Sequence, residues 1–201
     1  MKNTFCCKSF VFKFIFLLIF FSYNTFGINL TNEEIQYLKE NPILTIYTDG
    51  SYSPIEFFDN NGIYQGISSD YLIEISKLLN IKFNIYYDRD YLSKIDEKKS
   101  HLMTSVAITN IKLQKYIFSD FYLDFPAVIV SRNRIKTAIS EEMLANKTIA
   151  LVKGYSSYDY LSDKYPELNF NLVHDISTGL KMVSLGIVDY FIDNIAPISF
   201  F

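Results

Sequence analysis

The run Ile108-Thr109-Asn110-Ile111-Lys112-Leu113-Gln114-Lys115-Tyr116-Ile117-Phe118-Ser119-Asp120-Phe121-Tyr122 divides the chain into two halves of the same kind. Its first part is a short polar turn carrying one hydroxyl, Thr109, and a cation, Lys112, three residues on. Its second part, Tyr116 to Tyr122, is an aromatic run that reads as a strand. On both sides, short apolar runs alternate with segments of helical periodicity, the pattern of an α/β protein with mainly parallel sheets. Sheets of that type gather their loops at one end, where ligands bind.

Upstream, Leu30 to Pro42 predicts a short amphipathic helix. Thr31 and Glu34 form a capping box, Leu30 and Ile35 a hydrophobic staple, and Pro42 stops the helix. Ile43 to Thr48 reads as a buried strand, and Asp49 to Pro54 as the loop leaving its C-terminal end. Ile55 to Phe58 and Ile63 to Gln65 flank Asn60-Asn61-Gly62 as a hairpin. Ser68-Ser69-Asp70 is placed to cap a helix whose apolar positions Leu72, Ile73, Ile75, Leu78 and Leu79 make a core-facing stripe. A strand over Ile81 to Tyr87, a polar helix over Tyr91 to Lys98 and a strand over Leu102 to Ala107 follow.

Downstream, Asp124 to Arg132 is strand-like. A helix at Glu141 to Leu144, a strand at Thr148 to Lys153 turning at Gly154 into a helix to Lys164, a strand at Asn169 to Val173, a helix at Ile176 to Leu185 and a strand at Ile187 to Asp193 complete a second α/β unit.

The chain has 201 residues, 49% apolar and 17% aromatic, enough to bury a core and too hydrophobic for disorder. Lys2 and Lys8 precede an apolar run from Phe10 to Phe21 and a polar stretch to Gly27, the pattern of a secretory signal. That run is short of the about 20 residues that span a membrane; a cleaved signal and an uncleaved anchor both fit it. Cys6 and Cys7 lie ahead of the apolar run, so after cleavage at Gly27 the chain holds no thiol. It then carries 16 basic and 22 acidic residues, a net charge of −6. With no basic patch, nucleic acid is excluded as a partner class.

Three blocks resemble bacterial solute-binding protein family 3. Thr109-x-x-Lys112 followed by Phe118-Ser119-Asp120-x-Tyr122 is similar to its Thr-x-x-Arg and Phe-Ser-x-Pro-Tyr block. The run from Asp49 to Gly66, with Tyr52, Pro54, Glu56, Phe57 and Gly66 in register, resembles its most specific signature, from which Ser53 and Ile55 depart. Val152-Lys153-Gly154-Tyr155 and the Leu30-Thr31-x-Glu33-Glu34 preface resemble the Venus-flytrap domains of sensor kinases. The resemblance implies a two-lobed, type II periplasmic-binding-protein fold, each lobe a mainly parallel sheet flanked by helices. It divides the chain into a leader at 1–27, a first lobe at 28–125, a hinge crossing at 126–134 and a second lobe at 135–201. In the family the chain then returns to the first lobe; here Ile198, Phe200 and Phe201 form an apolar end without a partner, and the second lobe and return crossing are expected to be incomplete.

The implied ligand site lies in the interlobe cleft of an exported, periplasmic module. Tyr52 supplies an aromatic wall, Lys112 the charge for an anionic group, and Thr109 and the backbone near Ser105 and Val106 donors. Gly154, Tyr155 and Ser156 present a helix N-terminus, which favours anions. Asn194 stands where amino-acid-binding members carry Asp, and strand alternation turns Asp193 to the opposite face. Lys112 in place of Arg gives a point charge instead of a planar fork. The implied ligand is amino-acid-like or otherwise small and anionic or zwitterionic, with no cofactor. The implied partner is a transporter permease or a membrane sensor kinase or cyclase. An enzyme or enzyme-regulatory domain on the same fold, dehydratase-like or associated with lytic transglycosylases, is the rival class. His101 and His174, the two histidines, lie in no metal-ligand spacing, and no nucleophile elbow or phosphate loop occurs.

Overall fold

The computed structural model describes residues 28–135 and 140–201; the leader read in residues 1–27 lies outside the described residues. The chain divides into one unit ending at Lys39 and a second from Glu40 to Phe201. Helix α1 (Asn32–Glu40) opens with the expected capping box. Thr31 N and Oγ1 donate to Glu34 Oε2 at 2.7 and 2.9 Å, and Glu34 N donates back to Thr31 Oγ1 at 3.2 Å. No helix among the described residues is long and apolar enough to cross a membrane.

The second unit begins with β1 (Ile43–Thr48), whose Leu44, Ile46 and Thr48 are buried in alternation. It pairs in parallel with β5 (Lys82–Tyr87), and on its other side with Leu102 through a single parallel bridge at Ile46. The strand expected over Leu102 to Ala107 is reduced to that bridge, because Ser105 turns the backbone to φ 56° and ends the pairing. Between β1 and β5 run three short antiparallel strands, β2 (Ser51–Tyr52), β3 (Glu56–Phe58) and β4 (Tyr64–Gln65). Gly66 follows with φ 109°, and a Cβ there would lie 2.5 Å from the Ile55 carbonyl oxygen, so the backbones meet where only glycine fits.

Helix α2 (Ile67–Leu79) starts one residue ahead of the predicted cap, with Gly66 as N-cap, so Ser68, Ser69 and Asp70 occupy its first turn. Its stripe is only partly core-facing: Leu72 is buried, whereas Ile73, Ile75 and Leu78 are exposed. A sheet of two strands and one bridged residue is too narrow to cover the apolar face of a 13-residue helix. Two shorter helices follow, α3 (Tyr91–Asp96) and α4 (Asn110–Leu113). The aromatic run Tyr116 to Tyr122 is not a strand; it has no pairing partner among the described residues, and Ile117 and Phe121 face solvent.

A four-stranded sheet has the order β6-β9-β7-β8. Its strands are β6 (Ala127–Ser131), β7 (Thr148–Val152), β8 (Asn169–Val173) and β9 (Tyr190–Asn194), with β6 antiparallel to β9 and the others parallel. The stretch read as a hinge crossing therefore supplies an edge strand of this sheet. Helices α5 (Glu141–Leu144), α6 (Ser156–Lys164), α7 (Ile176–Leu185) and α8 (Ile195–Phe200) connect and follow the strands. Strand alternation splits the core. Ala150, Val152 and Phe191 pack with Ile176 and Val183 of α7, while Ile149, Leu151, Tyr190 and Ile192 meet Tyr158 and Leu161 of α6. The apolar end is not partnerless: α8 folds back so that Ile198 joins the first cluster and the Phe200 ring lies 6.3 Å from that of Phe57.

Helix α7 approaches β9 through Gly179, where a Cβ would stand 2.3 Å from the fully buried Phe191 ring. Gly179→Ala should lower stability, because about 1–3 kcal/mol of overpacking outweighs the roughly 1 kcal/mol gained in helix propensity. Urea denaturation reads this directly; a midpoint at or above that of the parent chain would show that the ring moves aside without cost.

Candidate functional site

The parallel strands β1, β7 and β9 end around one cavity of about 50 Å³. The loop after β1 brings Asp49 and Tyr52, β3 brings Glu56, and the segment after the Leu102 bridge brings Thr104, Ser105, Val106 and Ala107. The turn after β7 brings Gly154 to Ser157, and the end of β9 brings Asp193 and Asn194. Of the residues singled out in the sequence, Tyr52, Ser105, Lys112, Gly154, Tyr155, Ser156 and Asn194 line this cavity. Thr109 does not. It caps α4 by accepting from Lys112 N at 3.3 Å, and its hydroxyl donates to Asp159 at 3.4 Å.

Lys112 is buried and already paired. Its Nζ donates to Asp159 Oδ2 on α6 and to Ser156 Oγ at 3.3 Å. Sequence reading assigned this charge to a ligand and missed Asp159, since nothing in the spacing of an α6 aspartate marks it as the partner of a lysine 47 residues away. A buried amine requires such a partner, because leaving it unpaired costs several kcal/mol. Alongside, Asn110 Nδ2 donates to Asp163 Oδ2 at 3.2 Å. Tyr52 and Tyr155 pack edge to face with centroids 5.1 Å apart, Ser51 Oγ and Tyr155 OH share a 3.2 Å hydrogen bond, and Asn194 Nδ2 donates to Tyr52 OH at 2.5 Å. Ser105 is held by its N–H donating to Tyr122 OH at 2.8 Å and by Ser68 Oγ at 2.7 Å.

Three carboxyl groups face the cavity. Burial raises Asp49 above the ordinary carboxylate range, against hydrogen bonds from Ser51. Burial lifts Glu56 to about 7, opposed by the hydroxyls of Thr104, Tyr64 and Thr48, which donate to its two oxygens. Burial also lifts Asp193 to about 7. Its Oδ1 accepts from Asn194 N at 2.7 Å, but Oδ2 is buried without a partner among the described residues, as is Ser157 Oγ. Alternation does place Asp193 on the face of Phe191, opposite Asn194. The expectation that this removes it from the site fails because the cavity lies at the end of the strand, where both faces reach it.

Two wider cavities border this one. One of about 210 Å³ shares Tyr52, Ser105 and Asn194 and adds Asp120 and Asp124. The other, of about 580 Å³, shares Asp49, Tyr91 and Gly154 and adds Arg89, Lys153 and His174. His101 is structural, its Nδ1 accepting from Thr45 N at 2.9 Å.

Raised carboxyls carry a definite pH signature. Between the ordinary values near 4 and the raised values about 7, the folded chain binds more protons than the unfolded one, so stability falls as pH rises through that window. The melting temperature should be lower at about pH 8 than at about pH 5, and Asp193→Asn should flatten the decline. A rise over the same range, or a decline unaltered in the variant, would contradict this assignment.

Residues 44–184 match the bacterial extracellular solute-binding proteins, family 3. The L-cystine-binding protein TcyA of Bacillus subtilis is 25% identical over 161 residues, 76% of this chain and 57% of that protein. The sensor protein EvgS of Escherichia coli is 26% identical over 176 residues, 82% of this chain and 14% of that protein. The chain thus spans little more than half of the first relative and about one-seventh of the second. Among solved structures, the ancestral amino acid-binding protein AncCDT-1, a precursor of cyclohexadienyl dehydratase, superposes with a TM-score of 0.71 at 20% identity, over 83% of this chain and 76% of that one. The fold is the mixed α/β, two-lobed architecture of periplasmic binding proteins, of which the chain covers part. By the match over most of its length, the chain belongs to the bacterial extracellular solute-binding proteins, family 3.

Proposed function

We propose that the chain captures a small polar solute of amino-acid size outside the cytoplasm, its head group in the cavity between the two halves and the rest in the wider cavity that borders it past Tyr52, as a sensory or transport-associated binding module. The observation that carries this reading is the cavity's unfinished hydrogen bonding. Asp193 Oδ2 and Ser157 Oγ are buried, lack partners among the described residues, and belong to side chains that line one cavity with Tyr52, Tyr155 and Asn194. Buried polar atoms are ordinarily satisfied, so two in one aromatic-walled cavity are what a ligand-binding site offers.

The two halves meet there through residues from segments far apart in sequence, with Lys112 and Asp159, Asn110 and Asp163, and Tyr52 and Asn194 bridging them. We assign residues 28–125 to the first lobe, 126–134 to the crossing and 135–201 to the second lobe. A ligand that prefers the closed arrangement would shift the lobes toward it. The sensory role draws support from the likeness to the sensor protein EvgS, and the capture of an amino-acid-sized solute from the likeness to the L-cystine-binding protein TcyA. The partner is then a membrane sensor or a permease.

Thermal unfolding of the purified full chain against a panel of amino acids, amines and small carboxylates tests the proposal. A cooperative transition should rise with one class of solute, by about 2.7 kcal/mol in unfolding free energy at a hundredfold excess over Kd. A cooperative transition that no member of the panel moves would contradict it.

A further inference from the structure

The charges around the cavity bear on what it holds. Its lining carries Asp49, Glu56 and Asp193 against one amine, Lys112. That amine is spent on Asp159 and Ser156. Glu56 is fully satisfied by three hydroxyls, and Asp49 accepts from the Ser51 N–H. Asp193 is different: it is 2% exposed, lines the cavity, and one of its oxygens has no donor among the described residues. A ligand carboxylate placed there would meet three carboxyl groups and no unpaired cation of the lining, whereas a cationic nitrogen would supply the missing donor and hold Asp193 in its charged form. The walls agree, since Tyr52, Tyr91 and Tyr155 offer aromatic faces of the kind that attract cations.

Size and surroundings narrow the class further. A cavity of about 50 Å³ admits a head group, not a whole amino acid. Its neighbour of about 210 Å³, reached past Tyr52, Ser105 and Asn194, is lined by Asp120 and Asp124 and by no basic side chain. Arg89 and Lys153 border the other cavity, beyond Asp49 and Tyr91. A chain extending from Asp193 into the acidic neighbour would again meet carboxylates.

We infer that the ligand is a small cationic amine without a carboxylate, its ammonium group on Asp193 Oδ2 and its tail, which a second ammonium suits, directed toward Asp120 and Asp124. This inference rests on the solute-binding reading above and narrows it, replacing the anionic or zwitterionic ligand expected when Lys112 is counted as free.

Four-carbon probes test it on the full chain. Thermal unfolding is followed with millimolar 1,4-diaminobutane, with L-ornithine, which adds a carboxylate to the same skeleton, and with succinate, which replaces both ammonium groups by carboxylates. The diamine should raise the transition most, ornithine at least tenfold more weakly in apparent affinity, and succinate not at all. Asp193→Asn should abolish the diamine's shift while the ligand-free variant still melts cooperatively. A shift by ornithine or succinate equal to or larger than the diamine's would overturn the inference and leave the solute-binding reading standing. So would a diamine shift that survives in Asp193→Asn. An unshifted transition with all three probes would overturn the inference, and the wider panel then decides the solute-binding reading by itself.

Discussion

The ion pair between Lys112 and Asp159 is the interaction on which the cleft depends. Lys112 is carried by a single helical turn, capped by Thr109, and its side chain is 5% exposed. A lysine amine is tolerated at that depth only with a counter-charge and further acceptors, and Asp159 with Ser156 supplies both from the first turns of α6. The pair therefore joins the segment that follows the β1–β5 sheet to a helix packed on the four-stranded sheet. It also removes from the cavity the one cation that its lining would otherwise present. The site is left acidic, with Asp193 carrying an unsatisfied oxygen.

Much of the fold was legible because its signals are local. The Thr31 and Glu34 box, β8 over Asn169 to Val173 and α7 over Ile176 to Leu185 lie where capping chemistry and periodicity place them. The departures share a different cause. Tyr116 to Tyr122 has strand-like composition but no strand beside it, and pairing, not propensity, makes a strand. Ser68 to Asp70 looks like a cap, yet Gly66 can take φ 109° against the Ile55 carbonyl, and the helix begins there instead. The stripe of α2 has helical periodicity whether or not a sheet is broad enough to cover it.

The candidate site shows the same division. Positions in loops after strands, such as Tyr52, Gly154 and Asn194, are legible because strand ends converge in this fold, and seven of the chosen residues do meet at one cavity. Their charge states are not legible. Whether Lys112 is free depends on Asp159, and whether Asp193 reaches the site depends on where the strand ends, both facts of three-dimensional packing. A family pattern points to positions that line one cavity; the partners of each side chain decide what charge that cavity presents.

A double-mutant cycle on Lys112→Met and Asp159→Leu, read by chemical denaturation, measures the central pair most directly. A buried pair that ties the two halves together should show a coupling energy of about 2 kcal/mol or more, with the double variant more stable than either single one. A coupling below about 0.5 kcal/mol, the level of an exposed ion pair, would mean that Lys112 is free for a ligand and that the acidic reading of the cavity is wrong.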